Sequence, residues 1–209
     1  MKSILAFGDS LTWGYNPSTG MRMAYEDRWP NVLAAGLHSK ARIIEEGMNG
    51  RTTVFDDSTV EENRNGAVGL PISLKTHQPL DLLIIMLGTN DLKHNRAFDA
   101  SIGMERLVNL TRKHNWSGTY QCPPILIMSP PALVPTQNEW FNDLWGHAIE
   151  ESKLFAHHYS RIAKELDVHF FDAGSVAKAS EVDGGHLDVA NTRAIGDALV
   201  PVVKKILEF

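Results

Sequence analysis

The stretch LDLLIIMLGTND, residues 80–91, decides the fold. Up to Gly88 it is apolar except for Asp81, with no alternation of apolar and polar residues. A strand with one wet face alternates. A strand apolar on both faces belongs to a parallel sheet covered on both sides. Similar runs recur as SILAFG (3–8), ARIIEE (41–46), PILIMSP (124–130) and VHFFDAG (168–174). Helical patterns lie between them: RWPNVLAAGLHSK (28–40), FDASIGMERLVNLTRKH (98–114), AIEESKLFAHHYSRIAKEL (148–166) and ANTRAIGDALVPVVKKIL (190–207). In the second of these, Ile102, Leu107 and Leu110 follow helical spacing, and residues 66–77 form a fainter helical pattern. Strands alternating with helices imply right-handed crossovers. The expected fold is α/β, a three-layer flavodoxin-like sandwich with a parallel sheet of about five strands.

The 209 residues suit one core, and no repeat, low-complexity tract or linker divides them, so residues 1–209 are read as a single domain. A net charge of −5 and a pI near 6.0 argue against nucleic acid or an anionic membrane as partner. The lone Cys122 excludes an intrachain disulfide and suits a reducing compartment. MKSILAF is too short an apolar run for a signal peptide, and no apolar stretch approaches the roughly 20 residues of a membrane span. A soluble, cytoplasmic protein is expected. Two irregular stretches are long, 14–27 and the Pro- and Trp-rich 130–147, and long loops in compact domains are often functional.

In this fold ligands bind at the carboxyl ends of the strands. The residues following the five runs are Gly8-Asp9-Ser10, GMNGRTT (47–53), GTND (88–91), SPP (129–131) and, before the last helix, DGGH (183–186). A serine hydroxyl needs a base to become a nucleophile. Of nine histidines, His186 is the candidate, since it sits in a Gly-rich loop with Asp183 three residues earlier. One loop can therefore carry both the base and the carboxylate that orients it. His38, His77, His114, His157, His158 and His169 are read as solvated or structural.

Three donors are available for an oxyanion: the Ser10 N–H in a first helical turn, the Gly50 N–H, which has no Cβ in its way, and the Asn90 amide. Asn90 also has a plain alternative as an Asx-turn or helix cap. Gly47 and Gly88 read as turn residues, and Asp9 and Asp91 as braces for their turns. Trp13, Tyr15, Trp140, Phe141 and Trp145 are candidates to line the pocket, with core or subunit packing as the alternative.

FGDSLTWG, GMNGRTT, GTND and DGGH, in this order, resemble the signature blocks of the SGNH, or GDSL, hydrolases. The resemblance spans nearly the whole chain and assigns Ser10, Gly50, Asn90 and His186 as the signature residues, with Asp183 before the histidine. EEGMNGRTT, LDLLIIMLGTND and FFDAGSV are similar to the bacterial arylesterase and acyltransferase subgroup. The resemblance implies a serine esterase of short-chain esters that uses no cofactor or metal. It also implies acyl transfer as a side reaction and a tendency to form homo-oligomers. A carbohydrate-directed acetylesterase of the same family is an alternative. Two other readings are a phosphotransfer or nucleotide domain using Asp9 or Asp91, and a non-catalytic binding module. The first is disfavoured by the lack of a phosphate-binding glycine motif, and the second by the full set of Ser10, Gly50, Asn90, Asp183 and His186.

Overall fold

Parallel strands that are apolar on both faces need a helical layer on each side, and the computed structural model, which describes residues 1–209, has both layers. Strands β1 (Lys2–Gly8), β2 (Ala41–Gly47), β3 (Leu82–Met86), β4 (Ile125–Ser129) and β5 (His169–Asp172) form one five-stranded sheet in the order β2-β1-β3-β4-β5. All neighbours are parallel. Side chains alternate between faces along each strand. Leu5, Phe7, Leu83, Ile85, Ile125 and Ile127 pack under α3 (Gly66–His77), α4 (Ala97–Arg112) and α7 (Phe155–Glu165). Ile4, Ala6, Ile84, Met86, Leu126 and Met128 pack against α2 (Trp29–Gly36) and α8 (Val189–Ile206).

The run at 80–91 is strand only over Leu82–Met86. Its one polar residue, Asp81, stands at the entry, where its carboxylate accepts from the Ser3 N–H at 2.8 Å and from Lys2 Nζ at 2.9 Å. Past the strand, the Leu87 carbonyl accepts the Tyr159 hydroxyl at 2.9 Å and the chain turns.

Three local expectations are corrected. β2 and β5 are edge strands and half-buried, not buried on both faces. Ile102 faces solvent, because α4 buries Ala100, Met104, Leu107, Val108 and Thr111 instead. The helical pattern 148–166 is interrupted into α6 (Ile149–Ser152) and α7. At the break the Ser152 hydroxyl donates to the Ile149 carbonyl at 2.6 Å and accepts the Leu133 N–H at 2.9 Å, pinning the preceding loop. That loop, 130–147, is not wholly irregular. It holds α5 (Glu139–Trp145), whose N-cap Asn138 accepts the Phe141 N–H at 3.2 Å.

Candidate active site

From β1 the chain passes to β2 on one side and later to β3 on the other, which opens a crevice at the carboxyl end of β1. Gly8 lies in register with Gly47 on one flank and Met86 on the other. The segments leaving β1, β2 and β3 therefore meet there, and they carry Ser10, Gly50 and Asn90.

Ser10 is the first residue of the short helix α1 (Ser10–Trp13). Asp9 caps it, with Oδ1 accepting the Leu11 N–H at 2.9 Å. Asp9 is fully buried, and burial pushes its carboxyl up to about 6 against the opposing Leu11 N–H and the His186 and Arg51 charges. The loop ahead of α8 brings the other two groups. His186 Nε2 is 2.9 Å from Ser10 Oγ, and Nδ1 is 2.7 Å from Asp183 Oδ2. Asp183 Oδ1 also accepts the N–H of His186 at 2.9 Å and of Gly185 at 3.1 Å. Burial alone would raise Asp183. The His186 side-chain bond, its charge and the two backbone donors outweigh burial and hold the carboxyl below its usual range. The loop is itself closed on Ser180, whose carbonyl accepts the Gly184 N–H at 2.8 Å and whose N–H donates to the His186 carbonyl at 2.7 Å. A Cβ on Gly185 would stand 2.5 Å from the Trp145 ring, so only glycine lets α5 seat against this loop.

Gly50 has φ +79°, in the left-handed region, and a Cβ there would lie 2.5 Å from Arg64 Nη1. Asn90 is not at the strand end but in the 3₁₀ turn Thr89–Lys93. Its Nδ2 donates to the Arg51 carbonyl at 3.2 Å and, weakly, to Asp9 Oδ2 at 3.4 Å. Gly47 closes β2, and Gly88 precedes the turn with φ +130°. Asp91 accepts the Thr53 N–H at 3.0 Å together with the Thr53 hydroxyl. Burial pushes Asp91 up to about 7 against those Thr53 bonds, and the Asp9 charge adds to the rise. Arg51, unnoticed in the sequence, ties the ends of β1 and β2 together. Its guanidinium donates to the Gly8 carbonyl at 2.8 Å and to the Glu46 carbonyl, and lies 4.1 Å above the Phe7 ring.

A cavity of about 200 Å³ opens over Ser10, Gly50, Asn90 and His186. Tyr15, Trp140, Phe141 and Trp145 line it, but Trp13 does not. Trp13 turns toward the 14–27 stretch, where the Arg22 guanidinium covers its ring at 5.1 Å. Asn49, Arg64, Lys93 and Leu144 line the cavity without having been singled out. Asn49 and Lys93 are adjacent or close in sequence to Gly50 and Asn90, and that proximity was the available signal. Arg64 gave none, lying in a long aperiodic segment. No cluster of three or more His, Cys, Asp or Glu side chains is arranged to hold a metal ion, and no helix is long and apolar enough to cross a membrane.

Residues 6–192 match the model of the GDSL-like lipase/acylhydrolase family. Among solved structures, the chain is similar to a carbohydrate acetylesterase family member from Sinorhizobium meliloti at 51% identity, with 100% of each chain covered and a TM-score of 0.97. It is similar to the M. smegmatis aryl esterase at 42% identity, covering 99% of this chain and 100% of that one, with a TM-score of 0.95. A second carbohydrate acetylesterase from Sinorhizobium meliloti is 38% identical over 98% of this chain and 99% of its own, with a TM-score of 0.93. No curated protein matches the sequence.

Proposed function

The chain belongs to the GDSL-like lipase/acylhydrolase family and is a carboxylic ester hydrolase; from that premise we propose that it hydrolyses short-chain esters through an acyl-enzyme on Ser10. The observation that carries this reading is the unbroken relay from Asp183 through His186 to Ser10, at 2.7 and 2.9 Å, in the floor of a cavity. His186 Nε2 takes the Ser10 proton as Oγ attacks the ester carbonyl. The Ser10 and Gly50 N–H groups hold the oxyanion, together with the Asn90 N–H whose 3.4 Å bond to Asp9 is weak enough to redirect. His186 then protonates the leaving alcohol, and water repeats the sequence on the acyl-enzyme.

Asn90→Ala is expected to lower kcat by about 10²–10³-fold with little change in KM, because the bond tightens mainly in the transition state. Steady-state kinetics on an aryl acetate checks this, and a defect confined to KM would point to substrate binding instead.

The cavity of about 200 Å³ is smaller than the roughly 300–1,000 Å³ of typical ligand pockets, which supports acetyl and similarly short neutral acyl groups. The aromatic wall of Trp140, Phe141 and Trp145 supports partial acyl transfer to small alcohols or peroxide in place of water, with His186 activating either acceptor. Aryl and carbohydrate acetates are both compatible with this site. The similarity to carbohydrate acetylesterases supports the sugar esters, and the ring wall supports the aryl ones. The test is a series of neutral aryl esters of increasing acyl length, with an acetylated sugar alongside. A fall in kcat/KM of about tenfold or more from acetyl to hexanoyl is expected, from overfilling of the slot. A rise with chain length would overturn the short-acyl reading.

A further inference from the structure

The walls of this cavity differ in chemistry. The rings of Tyr15, Trp145 and Phe141 flank His186, at 4.2, 5.6 and 6.0 Å between centroids. His186 delivers the proton to the leaving oxygen, so the alcohol of the ester lies on that side. Arg64 and Lys93 line the same cavity. Arg64 rests on Gly50, and Lys93 ends the turn that holds Asn90. Both cations therefore stand with the oxyanion donors while the rings stand with His186, which leaves the cations to the acyl part of the substrate.

These cations are incompletely matched. Arg64 Nη1 and Lys93 Nζ reach the same oxygen, Asp57 Oδ2, each at a long 3.5 Å. The other oxygen of Asp57 is taken by the N–H and hydroxyl of Thr59. Glu62, largely exposed, approaches Arg64 Nη2 only to 3.8 Å. Arg64 Nε is buried and has no acceptor. A carboxylate arriving in the cavity can give the Arg64 Nη and Lys93 Nζ atoms the short charge-assisted bonds that these long contacts lack. Burial also pulls the Lys93 ammonium below its usual range, against the pull of Asp57, and a second anion would reverse that.

We propose that Arg64 and Lys93 form a carboxylate-recognition subsite, so that beyond acetyl this enzyme accepts acyl groups ending in a carboxylate, the half-esters of short dicarboxylic acids. The proposal rests on the Ser10 acyl-enzyme reading. In the reaction Ser10 Oγ bonds to the acyl carbon as the carbon–alkoxy bond breaks, and the Ser10 proton leaves on the alcohol through His186. Water then cleaves the acyl-enzyme, giving the dicarboxylate and one proton and restoring the Ser10 hydroxyl.

The test compares monomethyl succinate with methyl levulinate, a neutral ester of nearly the same shape, by proton release at constant pH. In wild type the ratio of their kcat/KM values, anionic over neutral, is expected to be about ten or more, and to fall as salt is raised. In Arg64→Met and in Lys93→Met, checked for folding by circular dichroism, that ratio is expected to fall about tenfold. A wild-type ratio at or below one overturns the proposal and needs no variant. So does an unchanged ratio in both variants with the two esters slowed alike, which would assign the cations to the oxyanion. Phenyl acetate is the control. If it is cleaved only with Ser10 intact while monomethyl succinate is not cleaved, this proposal alone fails. If it is not cleaved, the acyl-enzyme reading fails with it.

Discussion

Ser10→Ala is expected to lower kcat for an aryl acetate by about 10⁴-fold or more while the protein stays folded. The hydroxyl lost is the one that sits 2.9 Å from His186 Nε2. The fold does not depend on it. Ser10 opens α1, the cap is Asp9, and alanine is a good helix former at that position. What remains is the activity that oxyanion donors and binding supply without a nucleophile. A serine-directed organophosphate should label the wild-type chain at Ser10 and leave the variant unlabelled. Near wild-type turnover by a pure, folded Ser10→Ala sample would sink the assignment.

Asp183→Asn should be nearly as damaging, about 10⁴-fold in kcat. The new amide oxygen can still accept the Gly185 and His186 N–H groups that Asp183 Oδ1 holds at 3.1 and 2.9 Å. The loop should therefore keep its shape. The amide nitrogen would then face His186 Nδ1 as a donor, where the carboxylate oxygen now accepts at 2.7 Å. The imidazole would have to move its hydrogen to Nε2, and a protonated Nε2 cannot take the Ser10 proton. A loss smaller than about tenfold, with folding verified by circular dichroism, would remove Asp183 from the relay. The carboxyl is held below its ordinary 3.8. The folded state thus binds this proton less readily than the unfolded chain. The stability it contributes is fully present above that value and is lost as pH falls through the folded value. Around neutrality Asp183 stays ionised and keeps its bond to His186.

The sheet was legible because burial on both faces leaves a compositional mark, strongest in the central run at 82–86. The edge strands blur that mark, since Glu45 and Glu46 on β2 face partners such as Arg28 and His77 at the rim. The site's floor was legible for a different reason. In this topology the ends of β1, β2 and β3 must converge, so small and polar residues at those ends were informative before any distance was known. What stayed hidden depends on side chains meeting through irregular backbone. Arg64 reaches Gly50 from the aperiodic 48–65 stretch, and Trp13 was misjudged because adjacency to Ser10 in sequence does not set the direction of its ring. Helix α5 was masked by Pro130, Pro131 and Pro135, which precede its Asn138 cap.

The contact between Gly185 and the Trp145 ring makes one wall of the cavity and the mounting of His186 a single mechanical part. Reshaping α5 to admit a larger alcohol would also disturb the alignment of His186, so each such change carries a penalty in turnover. Arg64 and Lys93 are instead tied to the segments that present Gly50 and Asn90. Selection for larger alcohols would therefore act on the alignment of His186, and selection for new acyl groups on the setting of Gly50 and Asn90.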